Sequence, residues 1–413
     1  MRKPTWLNLF IALAVVVAIV PAATAQEEDW APVVVRPGEP IKIGFAAALT
    51  GAGIDVLGID EQRGAQLALE DINAAGGILG FEVVMDFQDE QCSAEGGATV
   101  ANRFVSDESI VAVVGHMCSS SCVAGQDIYA DYGYSMVSPS CTGVVLTDPE
   151  RVSPIFSRVA WTDRGQGPAA AQFLLEELGV TTVATIHDGS PYGQGLVVAM
   201  ADAFIDLGGD VIAELAVNVG DTDMTAVLNQ IKDAGPPDAI YFVGFPAEGA
   251  YLARQRIDVG MEDVIFMGAD GINAVAYVEA AGEAGCGTFA SAADPAELEG
   301  GGYEAFVERY IEAYGESPTA PFHAHAYDAT MVIAKAIEAV GEIDSEGNLV
   351  IDRVALRDAI RATEGLQGLT GTLTCDEYGD CAGGAAITVV EVMCEGDERA
   401  FETIWSPPAE EEE

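Results

Sequence analysis

Residues 41–87 read IKIGFAAALTGAGIDVLGIDEQRGAQLALEDINAAGGILGFEVVMDF, and the order of patterns in this stretch decides the fold class. The stretch opens with a continuous apolar run, which predicts a strand that is covered on both faces. Apolar residues then recur on one helical face over 61–74, and Gly76 and Gly77 end the helix. A second apolar run closes the stretch. Strand, helix and strand in this order predict a βαβ unit of a parallel sheet.

The same alternation continues through most of the chain. Strands are predicted at 41–48, 81–87, 110–115, 182–186, 239–243 and 264–267. Helices are predicted at 61–74, 94–106, 167–178, 193–207, 225–234, 248–259, 303–313, 324–340 and 353–363. Two late strands, at 372–374 and 386–392, are predicted around a turn at 376–380. The fold class is therefore α/β, with two doubly wound parallel-sheet lobes joined by a hinge of several chain crossings.

The two ends of the chain depart from this pattern. Arg2 and Lys3, an apolar run and the small residues Ala23, Thr24 and Ala25 predict a cleaved export signal. The alternative, a membrane anchor, needs roughly 20 apolar residues, and the run is shorter than that. The predicted segments are a signal peptide over 1–25, a disordered lead over 26–40, lobe 1 over 41–160 and 290–365, lobe 2 over 161–289 and 366–405, and an acidic tail over 406–413.

The chain is strongly acidic. It has 66 Asp and Glu residues against 18 Lys and Arg residues, for a formal charge of −48 at pH 7. Such a charge repels phosphate backbones and excludes nucleic acid as a partner. We hypothesise that the acidity suits a salty habitat, where ions screen the self-repulsion.

The chain has eight cysteines, an even number in a chain with an export signal, so disulfides are expected. The alternative is a zinc site at His116, Cys118 and Cys122. Their spacing matches no common zinc pattern, and the expected compartment is oxidising, so we predict no metal.

Ligands of open α/β sheets bind beyond the carboxyl ends of the strands, so the residues there are the candidate site. In the first lobe the segment 115–122, GHMCSSSC, follows a strand and opens a helix. Its hydroxyls and free amides, Ser119 among them, fit an anion such as a carboxylate, or else a plain helix cap. A second polar turn, SPSCTG at 138–143, either meets the first at the same edge or is an ordinary capped loop.

In the second lobe, polar residues again follow the strands. His187 and Asp188 end one strand, Phe245 follows the next, and Asp270 lies between glycines after a third. A carboxylate presented in this way is suited to pair with an ammonium group. The alternative is an Asx turn, in which the same side chain accepts from its own backbone.

With these residues in view, the chain resembles the periplasmic binding proteins of type I fold that serve ABC transporters for leucine, isoleucine and valine. The likeness covers almost the whole chain after the signal. It is carried by the segments DINAAGGI at 71–78, GHMCSSS at 115–121, Ser138-Pro139 with Thr142, Asp163 with QGP at 166–168, IHD at 186–188 and Tyr192-Gly193.

The resemblance implies a role for each matching position. Ser119 and Thr142 would hold the α-carboxylate of an amino acid, and the Ser140 carbonyl and Asp270 would hold its ammonium group. Tyr192 would close over the ligand from the second lobe. Relatives usually carry Glu at the position of Asp270, so the reach here is one methylene shorter and a water could bridge the gap.

The resemblance also places Asp163 in the ligand site. Leu57 and Phe245 fall where tyrosines are common in the family, which implies a more apolar side-chain subsite. Trp161, near the crossing between the lobes, would add to this wall. The alternative for Leu57, Phe245 and Trp161 is ordinary core packing.

The likeness further implies a disulfide between Cys92 and Cys118. Cys375 and Cys381 flank the late turn and are expected to close it. For the remaining four cysteines we expect Cys122 with Cys141 and Cys286 with Cys394, although sequence alone leaves their pairing open.

The implied function is that of an exported, monomeric solute-binding protein without cofactor or catalytic activity. It would capture a branched-chain or related small amino acid for the membrane subunits of an ABC transporter. The alternatives are capture of an amide or another small polar solute, a sensory lobe of the same fold, and a hydrolase that uses His116 or His187. Dinucleotide binding is excluded because Val56 stands where the third glycine of the fingerprint would be needed.

Overall fold

The computed structural model describes residues 30–51, 53–293, 302–382, 387–396 and 398–407. The predicted signal peptide, the start of the predicted lead and residues 408–413 of the predicted tail lie outside these ranges. Within them, no helix combines the length and the apolar character that crossing a bilayer requires.

The chain alternates between strands and helices, as the sequence predicts. The described strands are β1 (Val33–Val35), β2 (Ile41–Ala47), β3 (Val83–Asp89), β4 (Ile110–Gly115), β5 (Met136–Ser138), β6 (Phe156–Arg158), β7 (Thr182–His187), β8 (Asp210–Ala216), β9 (Ala239–Val243), β10 (Ile265–Gly268), β11 (Phe289–Ala293), β12 (Glu342–Ile343), β13 (Leu349–Ile351), β14 (Leu366–Gly368), β15 (Gly371–Leu373), β16 (Ile387–Glu395) and β17 (Glu398–Trp405). The described α-helices are α1 (Asp55–Ala74), α2 (Ala94–Val105), α3 (Ser119–Tyr132), α4 (Asp163–Gln172), α5 (Pro191–Asp206), α6 (Thr225–Ala234), α7 (Pro246–Asp258), α8 (Val275–Ala281), α9 (Tyr303–Tyr314), α10 (His323–Val340) and α11 (Arg353–Arg361).

The first lobe is built on a sheet in the order β3-β2-β4-β5-β6, in which neighbouring strands are parallel. Helices cover both faces. Phe45 of β2 packs into one apolar cluster with α1 and α10, and the adjacent Ala46 packs into another with α2 and α3. The run at 41–48 is continuously apolar because both faces of its strand are covered.

The second lobe is built on a sheet in the order β17-β16-β11-β10-β9-β7-β8. The strands from β8 to β11 are parallel, and β16 and β17 add an antiparallel edge. Helices α4 and α5 cover one face, and α6, α7 and α8 cover the other. The sequence analysis misses the outer strands β8 and β17, whose half-exposed polar residues break the apolar pattern.

The chain passes between the lobes after β6, after β11 and after the β14-β15 hairpin. This arrangement is the predicted hinge of several crossings. β11 pairs with β10 and so belongs to the sheet of the second lobe as far as Ala293. Next to the β14-β15 hairpin, Asp328 of α10 accepts the amide hydrogens of Leu369 and Thr370, which ties this segment to the first lobe.

The late turn is present, but the predicted strands around it do not pair with each other. Oδ1 of Asp376 accepts the amide hydrogens of Tyr378, Gly379 and Asp380. β15 pairs with β14, and β16 pairs with β11 and β17. The mostly buried, apolar β16 joins the edge of the larger sheet instead of an exposed hairpin, because that removes more apolar surface from water.

The predicted disordered lead contains an ordered strand. β1 pairs with β13, with Val33 and Val35 buried and Val34 exposed. The two buried valines join the first-lobe core, which explains why a short segment next to prolines and acids is ordered.

Two helices begin earlier than the sequence predicts. α1 begins at Asp55, six residues before the apolar stripe, and α4 begins at Asp163. The Thr162 hydroxyl caps α4 by accepting the amide hydrogen of Arg164. The first turns of both helices face the region between the lobes, so they lack the stripe that marks a helix lying on a sheet.

The eight cysteines form four disulfides, Cys92–Cys118, Cys122–Cys141, Cys286–Cys394 and Cys375–Cys381. These are the pairs expected in the sequence analysis. The first two tie the polar turns after β4 and β5 to the rest of the first lobe.

Candidate functional site

A small pocket lies between the lobes, at the carboxyl ends of the strands. Its space between atoms is about 330 Å³, including the part that is open to solvent. The lining residues are Leu57, Glu61, Met117, Cys118, Ser119, Ser140, Thr142, Tyr192, Phe245, Asp270, Gly271 and Phe322. Both lobes contribute to it, as the rule for open α/β sheets predicts.

The polar end in the first lobe consists of Ser119 and Thr142. Ser119 is the first residue of α3, and its hydroxyl oxygen accepts the amide hydrogen of Gly143 at 3.1 Å. The hydroxyl proton of Ser119 therefore remains free to donate. The Thr142 hydroxyl is buried beside the Asp163 carboxyl, and its hydrogen bonding to that carboxyl lowers the pKa of Asp163. The free donor of Ser119 at a helix start fits a carboxylate.

A buried network fixes the turn that carries Ser119. Glu90 accepts the amide hydrogens of Met117 and Cys118, and its Oε2 lies 2.6 Å from Nδ1 of His116. The other ring nitrogen of His116 lies 2.9 Å from the Tyr129 hydroxyl. Both nitrogens are thus used inside the lobe, and the ring is fully buried, which leaves His116 no role as a general base.

The second turn is held by two side chains. The Ser138 hydroxyl donates to the His116 carbonyl at 2.6 Å and accepts the amide hydrogen of Cys141. The buried guanidinium of Arg158 donates to the carbonyls of Cys141 and Gly143 and pairs with Asp380. The two polar turns are therefore rigidly placed before any ligand arrives.

The acidic end lies in the second lobe. Oδ1 of Asp270 accepts hydrogen bonds from Gln166 and from the Tyr192 hydroxyl, both at 2.8 Å. Burial raises the pKa of Asp270 to about 6, although both hydrogen bonds favour the charged form. Oδ2 takes part in no side-chain hydrogen bond with the described residues, and a hydrogen bond from the Asp270 backbone also favours the charged form.

Asp163 lies behind this end of the pocket and does not line it. It is completely buried beside the Thr142 hydroxyl. Burial and then the charge of Asp270 raise the pKa of Asp163 to about 8. A pKa of about 8 favours the neutral form of Asp163 at pH 7, so a second negative charge beside Asp270 is disfavoured.

The walls of the pocket are apolar. Leu57, Met117, Phe245 and Phe322 line it, and the ring of Phe245 lies 5.9 Å from that of Tyr192. Trp161 does not line the pocket. Its ring stacks on Phe322 at 5.0 Å. An aliphatic side chain buried against such a wall gains about 1.5–3 kcal/mol.

The structure brings most of the predicted site residues together. Those that line the pocket are Ser119, Ser140, Thr142, Tyr192, Phe245, Asp270 and Leu57. Trp161 acts one layer behind, since its indole nitrogen donates to Gln166 at 2.7 Å and Gln166 in turn donates to Asp270.

The sequence analysis misses Glu61, Phe322 and Gln166 as site residues. Glu61 stands at the start of the predicted helix, where an acid is the ordinary choice for a first turn. Gln166 lies in the matching QGP segment but is not singled out there. Phe322 directly precedes α10, and no local pattern marks it.

Comparison with known proteins agrees with this geometry. The sequence model of the family described as "Periplasmic binding protein" matches residues 40–393. The leucine-, isoleucine-, valine-, threonine- and alanine-binding protein of Pseudomonas aeruginosa is 34% identical over 342 residues, which is 83% of this chain and 87% of that protein. The leucine-specific-binding protein of Salmonella typhimurium is 31% identical over 350 residues, with 84% and 89% covered.

Solved structures agree as well. The leucine-binding protein of Thermotoga maritima superposes with a TM-score of 0.78 at 30% identity, covering 89% of this chain and 99% of that one. A branched-chain amino acid transporter substrate-binding protein of Streptococcus pneumoniae, solved with isoleucine, gives a TM-score of 0.75 at 26% identity, with 89% and 100% covered. With its two lobes, its hinge and its pocket at the strand ends, this chain belongs to the periplasmic binding protein family and has the type I fold.

Proposed function

We propose that this protein captures a branched-chain or related small aliphatic amino acid and delivers it to the membrane subunits of an ABC importer. The observation that carries the proposal is the placement of the Ser119 and Thr142 hydroxyls in one lobe and of the Asp270 carboxylate in the other, on the same pocket. An amino acid presents a carboxylate and an ammonium group, which need this pair of opposite ends.

The roles of the remaining pocket residues follow from their positions. The Ser140 carbonyl is an acceptor for the ammonium group, together with Oδ2 of Asp270. Leu57, Phe245 and Phe322 surround the aliphatic side chain. Because Tyr192 and Asp270 come from the second lobe, the ligand gains these contacts only when the lobes are closed, and it therefore stabilises closure.

The relatives support the choice of solute. The compared proteins are named for binding leucine, isoleucine, valine, threonine and alanine, all with small or branched side chains. The residues that line the pocket include no lysine, arginine or histidine that could pair with an acidic ligand side chain, and the walls are apolar. We infer that the protein is exported, works as a monomer without catalysis, and meets its transporter outside the cytoplasmic membrane.

Calorimetry with matched ligands tests the proposal. Leucine, isoleucine and valine are expected to bind, whereas 4-methylpentanoate, which lacks the amine, and isopentylamine, which lacks the acid, are expected to bind at least about 30-fold more weakly, since each loses a charge-assisted contact of about 2 kcal/mol or more. Binding of either analogue as tightly as leucine, or no binding of any amino acid, would refute the proposal.

Variants test the assigned ends. Asp270→Ala and Ser119→Ala are expected to weaken leucine binding while leaving the melting temperature close to that of the unaltered protein. Ser109→Ala is a matched control, because Ser109 is exposed, donates only to Asp107 and does not line the pocket. Unchanged affinity in both site variants would show that the pocket is misplaced.

A further inference from the structure

Glu61 is a carboxyl group inside the pocket to which neither the proposed function nor the resemblance gives a role. It lies on α1 in the first lobe and is completely buried. It lines the same pocket as Asp270, and neither of its carboxyl oxygens forms a hydrogen bond with the described residues. An unpaired buried carboxyl is costly, so its retention in a ligand pocket calls for a partner.

Among the residues that the structure describes, no neighbouring cation supplies that partner. Asp60, beside it on α1, is paired with His323 at 2.8 Å, and Glu90, below it, is paired with His116. Both carboxylates add negative charge around Glu61, and Asp270 and Tyr192 face the pocket from the other lobe. Burial, more than these charges, raises the pKa of Glu61 well above its usual value, and the nearby Ser140 hydroxyl opposes this only in part.

The Ser140 hydroxyl is only a partial partner for the Glu61 carboxylate. Its single proton is directed to the Met117 carbonyl at 2.9 Å. Burial therefore favours the protonated form of Glu61 in the protein without ligand.

The ligand supplies the missing partner. An ammonium group has three hydrogen-bond donors. The proposed function assigns two acceptors to it, the Ser140 carbonyl and Oδ2 of Asp270. We propose that Glu61 is the third acceptor and that it releases its proton when the amino acid binds. This inference rests on the proposed function and deepens it, because it couples capture of the solute to loss of a proton.

The sign of the pH effect follows from linkage. Burial raises the pKa of Glu61 in the free protein, and a positive charge beside it lowers that pKa in the complex. Affinity therefore rises with pH, by up to about tenfold per pH unit, in the interval between the two pKa values. Below that interval Glu61 keeps its proton in both states and the slope disappears.

Two other pocket acids titrate near this interval, so the experiment must separate them. The pKa of Asp270 is about 6, and that of Asp163 is about 8. At pH 7 Asp270 is already mostly ionised. The substitution Asp163→Asn removes any proton that Asp163 could release on binding, and it leaves Glu61 unchanged.

The test is titration calorimetry of leucine at pH 7 in phosphate and in Tris, whose different ionisation enthalpies give the number of protons released. We expect about one proton from the unaltered protein and from Asp163→Asn, and close to none from Glu61→Gln. Affinity of Glu61→Gln should also rise less steeply between pH 6.5 and 8 than that of the unaltered protein, and affinity of Glu61→Gln with Asp163→Asn should be close to flat above pH 7.

The outcomes separate the two proposals. Absence of amino acid binding by the unaltered protein refutes the proposed function. Binding without proton release, or release that persists in Glu61→Gln and disappears in Asp163→Asn, overturns only the role of Glu61. If Glu61→Gln does not bind leucine at all, the number of protons that Asp163→Asn releases on binding decides. Release of about one proton supports the role of Glu61, and release of none refutes it.

Discussion

The Tyr192 hydroxyl donates a hydrogen bond to Oδ1 of Asp270 at 2.8 Å and accepts the amide hydrogen of Gly271 at 3.2 Å. The contact joins the start of α5 to the turn after β10, so the tyrosine and the carboxylate reach the pocket as one unit. Gln166 donates to the same carboxylate oxygen. The other oxygen, Oδ2, takes part in no side-chain hydrogen bond with the described residues.

Removing the tyrosine hydroxyl should make binding depend more steeply on pH. This hydrogen bond lowers the pKa of Asp270, so in Tyr192→Phe the pKa rises above about 6 and less carboxylate is ionised near neutrality. We expect leucine affinity to fall at pH 6 to 7 and to recover at pH 8. Tyr132→Phe, at an exposed tyrosine, is the control and should leave the profile unchanged. An equal loss at pH 6 and pH 8 would contradict this explanation.

Asp163 should make the protein less stable as the pH rises. Its pKa is raised from 3.8 to about 8 in the folded protein, so between these values the folded state holds a proton that the unfolded state has lost. The free energy of unfolding then falls with pH, by about 1.4 kcal/mol per unit for one proton. Asp163→Asn should raise the melting temperature at pH 8 and much less at pH 5. The same shift at both values would show that the carboxyl is already ionised in the fold.

The disulfide Cys122–Cys141 should matter for affinity as well as for stability. It ties α3 to the turn that carries Ser140 and Thr142. Replacing both cysteines by alanine should lower the free energy of unfolding by about 2–4 kcal/mol and also weaken leucine binding.

The disulfide Cys286–Cys394 offers a matched control. It joins the outer part of the second lobe, and neither cysteine lines the pocket. Its removal should lower stability and leave the affinity of the folded protein unchanged. If both double variants bind leucine equally well, the first disulfide does not position the site.

The excess of acids should make stability depend on salt. With a formal charge of −48, the folded chain repels itself, and ions screen this repulsion. The melting temperature is expected to rise between about 0.05 and 1 M salt, since the Debye length falls from more than 10 Å to about 3 Å over this range. A melting temperature that stays level or falls would count against adaptation to salt.

The repeating pattern predicted the fold well where both faces of a strand are covered. β4 and β9 have the predicted bounds because every residue in them is buried and the apolar run is unbroken. β8 and β17 could not be predicted, because a half-exposed edge strand has the same mixed polar pattern as a loop. Partners of β16 could not be predicted either, because strand pairing depends on which edge the remaining chain leaves open.

Some residues of the candidate site could likewise be predicted from the sequence, and others could not. The placement of Ser119 and Asp270 at the pocket could be predicted, since each follows a strand, whereas Thr142 was singled out only by the resemblance. Glu61 could not be predicted, because an acid at the predicted helix start is typical of a first turn. α1 in fact begins at Asp55, so Glu61 lies farther along the helix, where it lines the pocket. Asp163 matched the family pattern, but only the folded geometry shows it one layer behind Asp270.

The most direct test is a crystal structure of the protein with leucine added. The ligand should lie between the lobes, with its carboxylate within hydrogen-bond distance of Ser119 and Thr142 and its nitrogen within hydrogen-bond distance of Asp270, directly or through one water. An empty pocket at saturating leucine, or a ligand bound with its nitrogen toward Ser119 and its carboxylate toward Asp270, would contradict the account.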